Sequence, residues 1–174
     1  MNVSVRLRRP EDLPGCGRVL ADVHAADAYP SRWPADTAAW LSPPGLAAAW
    51  IIEHDGLIAG HVGMVLGLED QVVSALTGAP PHRLASVTRL FVAPVARGHK
   101  LGAALICTVA GHAVELGLQL MLDVVDDGGP AIALYERLDW QLVDRRVADW
   151  TTPEGRRLPV LVYLAPDGAG PAGR

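Results

Sequence analysis

LFVAPVARGHKLG, residues 90–102, decides the reading of this chain. Apolar residues from 84 to 92 (LASVTRLFV) form a strand that Ala93-Pro94 closes. An apolar segment over about 99–116 reads as a helix buried against a sheet. Between them lies a turn carrying Gly98 and Gly102. The free N–H groups of a helix's first turn, with the helix dipole behind them, attract an anion. Glycine lets that anion approach the backbone, and Arg97 adds a cation. A pyrophosphate is the natural guest, although a bare strand-to-helix connection fits this stretch equally well. Lys100, in the same turn, is the one lysine of the chain; the other basic residues are arginines. The common nucleotide motifs are missing. No G-x-x-x-x-G-K-[ST] occurs, and neither 98–102 nor Gly15-Cys16-Gly17 continues as G-x-G-x-x-G.

Outward from this turn the elements are short and well punctuated. Residues 3–7 alternate as a strand, and Pro10, Glu11 and Asp12 open a helix of about 11–26. The YPSRWP stretch at 29–34 breaks it, and a short helix of about 35–41 follows. AAAWIIEH and LIAGHVGMVL, joined by Asp55-Gly56, read as a β-hairpin. Residues 67–83, with Gly78, Pro80 and Pro81, read mostly as a loop. Downstream, 118–125 is a near-continuous apolar strand and 130–138 a helix with Pro130 at its start. Residues 140–149 and 157–164 make two closing strands. The order β-α-α-β-β-β-α-β-α-β-β, hairpins before a strand-helix-strand crossover, predicts a mixed sheet.

Composition narrows the function. The 174 residues suit one domain, placed at 1–165, with a flexible tail at 166–174. Net charge is −4 and no basic run exceeds a pair, which argues against nucleic acid as a partner. The N-terminus lacks the apolar run of a signal peptide, and His112 and Glu115 interrupt the longest apolar region. A cytoplasmic protein without a membrane segment is expected, and the Ala, Gly, Pro and Arg bias suggests a GC-rich bacterial genome. Cys16 and Cys107 form no C-x-x-C and read as reduced core thiols. His24 and Asp27 share a helix face, but no third ligand stands at useful spacing, so no metal is expected.

A second stretch, AIALYERLDW at 131–140, fixes the interpretation. With LFVAPVARGHKLG it resembles the GNAT superfamily of acetyl-CoA-dependent N-acetyltransferases. That family carries Q/R-x-x-G-x-G/A after a strand ending like L-F-V-x-P, and then N-x-x-A-x-x-L-Y-E-x-x-G-F. In element order the resemblance covers essentially the whole chain. It implies an α/β (α+β) fold: a mixed, mostly antiparallel central sheet of about 6–7 strands flanked by about 4 helices. It also implies that Leu90, Phe91 and Val92 pair through their main chain with the pantetheine arm of acetyl-CoA. Arg97, Gly98, His99, Lys100, Leu101 and Gly102 would hold the pyrophosphate, with Ala131 also at the cofactor. Tyr135 would protonate the leaving thiolate as general acid.

The chain departs from the family pattern in places. Lys100 stands where the central glycine belongs; helical dihedrals there would admit a side chain, and the ammonium would lie beside the phosphates. Gly128 replaces the Asn, and Asp139-Trp140 replaces Gly-Phe, with Asp139 able to take the left-handed conformation. Ser86 and Thr88 occupy the positions where many members carry a Glu or His base. Neither hydroxyl is basic, so they are candidates for orienting a water relay. Glu69, Asp70, His82 and Asp126 are alternative bases, each equally readable as a solvated loop residue.

The segment between the first two helices walls the acceptor site in this family. Here it holds Asp27, Tyr29, Arg32 and Trp33: aromatic faces for a cation, and an arginine for a carboxylate. The resemblance therefore implies acetyl transfer to a primary amine of a small molecule by direct attack in a ternary complex. A protein N-terminus as acceptor, or an acyl-CoA sensor without turnover, are the alternatives. The closing strands are a candidate homodimer interface.

Overall fold

The computed structural model describes residues 2–167. Among them seven strands form one sheet in the order β1-β2-β3-β4-β5-β7-β6. Strands β1 (Val3–Leu7), β2 (Leu46–His54), β3 (Leu57–Leu66) and β4 (Leu84–Val92) pair antiparallel in succession. Strand β5 (Gln119–Val125) joins β4 in parallel, and β7 (Pro159–Leu164) inserts between β5 and β6 (Gln141–Val147). The sheet is therefore mixed and mostly antiparallel, as the element order predicts. The β2–β3 turn has positive φ at both Asp55 (51°) and Gly56 (80°), the mirror-image turn that matches strand twist.

Two long helices pack on the sheet. Helix α1 (Leu13–Asp27) lies on β3 and β4, and α4 (Leu101–Glu115) reaches β1 through β5. Helix α4 buries Leu101, Leu105, Ile106, Val109, Ala110 and Ala113, a helical spacing that places them on one broad face. Each fully buried Leu, Ile or Val contributes roughly 1.5–3 kcal/mol, so this helix anchors the turn that precedes it. Shorter helices are α2 (Thr37–Leu41), α3 (Gln71–Thr77) and α5 (Pro130–Arg137).

Three expectations are revised. Residues 67–83 are not mostly loop: Asp70 caps α3 by accepting from Val73 N (3.0 Å), and Gly78 ends it at φ 72°. The described residues thus hold five α-helices where about four were expected. Cys16 is a core thiol, pushed up to about 11 by burial, but Cys107 is exposed. From residue 168 on, the tail lies outside the described residues. No helix of the described residues is long and apolar enough to cross a membrane.

Candidate active site

The site begins with an irregularity in β4. His61 pairs with Phe91 and Gly63 with Thr88, so Val62 faces two residues, Arg89 and Leu90. This is a β-bulge, and Arg89 sits in it at φ 53°. A side chain at such a φ costs roughly 1–2 kcal/mol, so surrounding contacts must hold it. His61, fully buried, donates from Nδ1 to the Arg89 carbonyl (2.8 Å), and its Nε2 accepts from Arg8 Nη1 (2.9 Å). Desolvation pushes the His61 imidazole down to about 4, and Arg8 and Arg89 add to that effect. The ring is neutral at physiological pH. Arg8 is itself tied to the Leu41 carbonyl and Ser42 Oγ. The Arg89 Nε donates to the Trp40 carbonyl (3.1 Å), and its guanidinium lies 4.2 Å from the centroid of the Trp40 ring.

On its other edge β4 parts from β5 before the bulge is reached. Strands β4 and β5 pair only over Leu84–Ser86 and Gln119–Met121. From Val87 to Val92, the β4 edge on that side has no strand partner among the described residues. The two strands therefore diverge into a cleft with an unused row of backbone groups along one wall. Phe91 is buried and stacks on His61, while Leu90 and Val92 are half-buried against the core.

Four side chains converge electrostatically on this cleft. Burial pushes the Tyr135 phenol well above its ordinary value, with Tyr29 and then Asp123 adding to the rise. Tyr135 is buried among Trp140 and Tyr163 (ring centroids 5.9 Å from each). Tyr29 is partly exposed as a residue, yet burial pushes its phenol up to about 12 against the pull of Arg89. Burial raises the Asp123 carboxyl above the ordinary range, although the residue remains accessible to solvent. Both properties fit a carboxylate on the wall of a cleft. Arg89 is lowered by desolvation, opposed by Tyr29 and Asp123. The sequence reading missed Asp123, Arg89 and Trp40. The local signal for Asp123 was a single acid inside the apolar run 118–125.

The turn before α4 is built for close approach. Gly98 has φ 84° with open space where a Cβ would sit. The amides from Gly98 to Ala103 have no acceptor among the described residues; the first intrahelical bond is Ala104 N to Lys100 O (3.1 Å). Gly102 lies against Leu134 of α5 and Val92 of β4, and α5 also packs Ala131 against the core. His99 Nδ1 lies 3.1 Å from the carbonyls of Ala96 and Arg97, tightening the turn. Lys100 is exposed and left-handed (φ 59°, ψ 21°) rather than helical, so its side chain is admitted at a cost. The Arg97 guanidinium pairs with Asp27 at the end of α1. Asp139 is left-handed at φ 59°, in the place of the pattern's glycine.

The remaining candidates fall as follows. Ser86 is buried on the paired part of β4, its Oγ donating to the Val87 carbonyl (3.2 Å). Thr88 Oγ1 accepts from Arg89 Nη1 at 3.4 Å. Trp33 is exposed and sits beside His24, with ring centroids 5.2 Å apart. Arg32 is exposed. Asp70 is held by Arg146 (2.9 Å) and Asp126 faces Arg145 (3.6 Å). No group of three or more His, Cys, Asp or Glu among the described residues is placed to hold a metal ion.

Comparison with known proteins matches residues 14–140 to the acetyltransferase (GNAT) family. No curated protein matches the chain by sequence. Among solved structures, the ribosomal-protein-S18-alanine N-acetyltransferase from Escherichia coli superposes with a TM-score of 0.71 at 20% identity, covering 99% of this chain and 97% of that one. Arabidopsis thaliana NAA60 in complex with acetyl-CoA gives 0.72 at 19% identity, over 94% and 97% of the two chains. The Salmonella typhimurium protein yncA with its cofactor acetyl-CoA gives 0.69 at 16%, over 99% of each. At these identities the likeness speaks for the fold.

Proposed function

The chain belongs to the acetyltransferase (GNAT) family and is an acyltransferase, and from that premise we propose that it moves an acetyl group from acetyl-CoA to a primary amine of a small molecule. The observation that carries this reading is the joint presence of the opened β4 edge, the free amides at α4, and a proton donor and acceptor in one cleft. The unpaired main chain at Leu90–Val92 takes the pantetheine arm as an added strand. The amides from Gly98 to Ala103 hold the pyrophosphate, and Gly98 keeps the approach clear. With Arg97 committed to Asp27, Lys100 is the cation left to face the phosphates.

Proton traffic follows from the environments. Asp123, ionised above its raised pKa, accepts a proton from the arriving ammonium. The neutral amine attacks the thioester carbonyl carbon, the new C–N bond forms and the C–S bond breaks. Tyr135, held protonated by its burial, gives its proton to the departing thiolate, and the proton that the acetylated nitrogen sheds as it becomes an amide restores the phenol. Asp123 replaces the water relay through Ser86 and Thr88, whose hydroxyls already have partners. No covalent enzyme intermediate is needed.

Calorimetric binding of acetyl-CoA, combined with thiol release across a panel of amines and short peptides, tests this. Saturable binding with release that depends on small amines supports the reading. Release with peptides alone assigns the enzyme to protein N-termini. Binding without release from any acceptor assigns it to acyl-CoA sensing.

A further inference from the structure

Arg89 is the least explained charge in the cleft. It is half-buried on a strand that enters the core, and its lateral partners are a carbonyl and a hydroxyl, not an acid. Nε is spent on Trp40 O, and Nη1 makes only a long contact to Thr88 Oγ1 (3.4 Å). Nη2 has no acceptor among the described residues. One face of the guanidinium is covered by the Trp40 ring, whose other neighbour is Tyr29 (ring centroids 6.1 Å apart). The result is a pre-oriented fork with its Nη edge unused. A half-buried cation without an acid is expensive to keep, and this one also sits in a left-handed bulge that His61 holds in place. Asp123 lies within electrostatic reach of Arg89, yet no hydrogen bond joins them. The cleft thus offers one negative and one positive group that do not cancel by direct contact.

We propose that Arg89 binds a carboxylate of the acceptor, so that the substrate is an amino acid or a close amino-carboxylate, with its amine directed to Asp123 and its carboxylate to the Arg89 fork. The inference rests on the acetyltransferase reading and names the substrate class for the same site. Arg32, the arginine that the sequence first suited to a carboxylate, is exposed, whereas Arg89 is half-buried in the cleft. Tyr29 and Trp40 form the apolar flank against which the acceptor's carbon skeleton lies.

The test uses the full-length protein with acetyl-CoA, a panel of free L-amino acids, their carboxamides and the matching decarboxylated amines, followed by thiol release. One acid of the panel should be used about 10–100-fold better in kcat/KM than its own amide, the range expected of a charge-assisted pair. Arg89→Gln should bring that acid down to the level of its amide, chiefly through KM. Arg89→Lys, which keeps the charge without the fork, should fall between. An aminophosphonate partner separates a general anion site from a carboxylate site: comparable use of both widens the ligand class and overturns the carboxylate assignment. Equal use of acid, amide and decarboxylated amine by wild type overturns the inference while leaving the transferase reading intact. Should no amine release thiol, the transferase reading fails by itself. Calorimetry of N-acetyl amino acids against their amides then decides the carboxylate site separately. Preference for the acid, lost in Arg89→Gln, upholds it, and no preference overturns it.

Discussion

His61 offers the sharpest test of how this cleft is held together. It is fully buried, with one ring nitrogen donating to the carbonyl of the bulged Arg89 and the other accepting from Arg8. Burial penalises the charged ring, and protonation would also put a second N–H against the Arg8 guanidinium, so the ring sits at about 4, well below its ordinary 6.5. Folded His61 therefore binds its proton later than unfolded His61 as pH falls. Stability is fully present above about 6.5, declines through the window, and the loss is complete below about 4. A gap of about 2.5 units corresponds to about 3 kcal/mol. In urea that is a fall of roughly 1–3 M in the unfolding midpoint. His61→Gln offers a donor and an acceptor but nothing to titrate, so its midpoint should stay nearly flat where wild type falls. Other groups do not mimic this difference. Arg6 holds Asp12 to about 2, so its contribution is lost at lower pH, and Asp123, raised by burial, acts with the opposite sign in both proteins. Parallel curves for wild type and His61→Gln between pH 6.5 and 4 would refute the reasoning.

Other perturbations separate chemistry from binding. Tyr135→Phe should lower kcat by about 10²–10⁴ with the acetyl-CoA dissociation constant unchanged, as single-turnover kinetics and calorimetry will show. Wild-type kcat/KM should rise with pH through the raised Asp123 titration; Asp123→Asn should remove that limb along with the activity. The same variant should melt higher than wild type at neutral pH, because a charge no longer has to be kept desolvated. Lys100→Gly should stabilise the chain by about 0.5–1 kcal/mol, the left-handed strain less the entropy of glycine, readable as a rise in Tm of about 1–4 °C. It should also weaken acetyl-CoA binding and flatten its salt dependence; an unchanged dissociation constant and slope would leave Lys100 no role at the phosphates.

What could be read in the sequence was local. The Asp55-Gly56 hairpin, the extent of β4 from Leu84 to Val92 and the Pro130 helix start all follow from neighbours in the chain, and they fall where expected. The α3 caps, Asp70 and Gly78, were equally local, but Pro80 and Pro81 outweighed a helix that buries only Val73. The catalytic neighbourhood was not local. A bulge is a difference in count between two strands, visible only when Gly63 is set against Thr88 and His61 against Phe91. His61 in isolation reads as a strand residue; its function lies in two partners 28 positions downstream and 53 upstream. Asp123 reads as an odd acid in an apolar strand until β5 is seen to part from β4 after Met121.

The bulge and the parting of the strands are one device. Had β4 stayed regular and paired with β5 to its end, its outer edge would be filled, and Arg89 would follow the ordinary alternation. The extra residue turns the strand, and the left-handed Arg89 takes the strain of roughly 1–2 kcal/mol. The hydrogen bond from His61 and the charge-assisted bond to Trp40 O are together worth roughly 2–4 kcal/mol, and stacking on Trp40 adds about 0.5–1 kcal/mol. The strain is therefore met without any ligand, and the fork and the open edge stand ready before either substrate arrives. Preorganisation of this kind lowers the ordering cost at binding. His61, fully buried and bonded to the Arg89 carbonyl and to Arg8, thus fixes the bulge from inside the core.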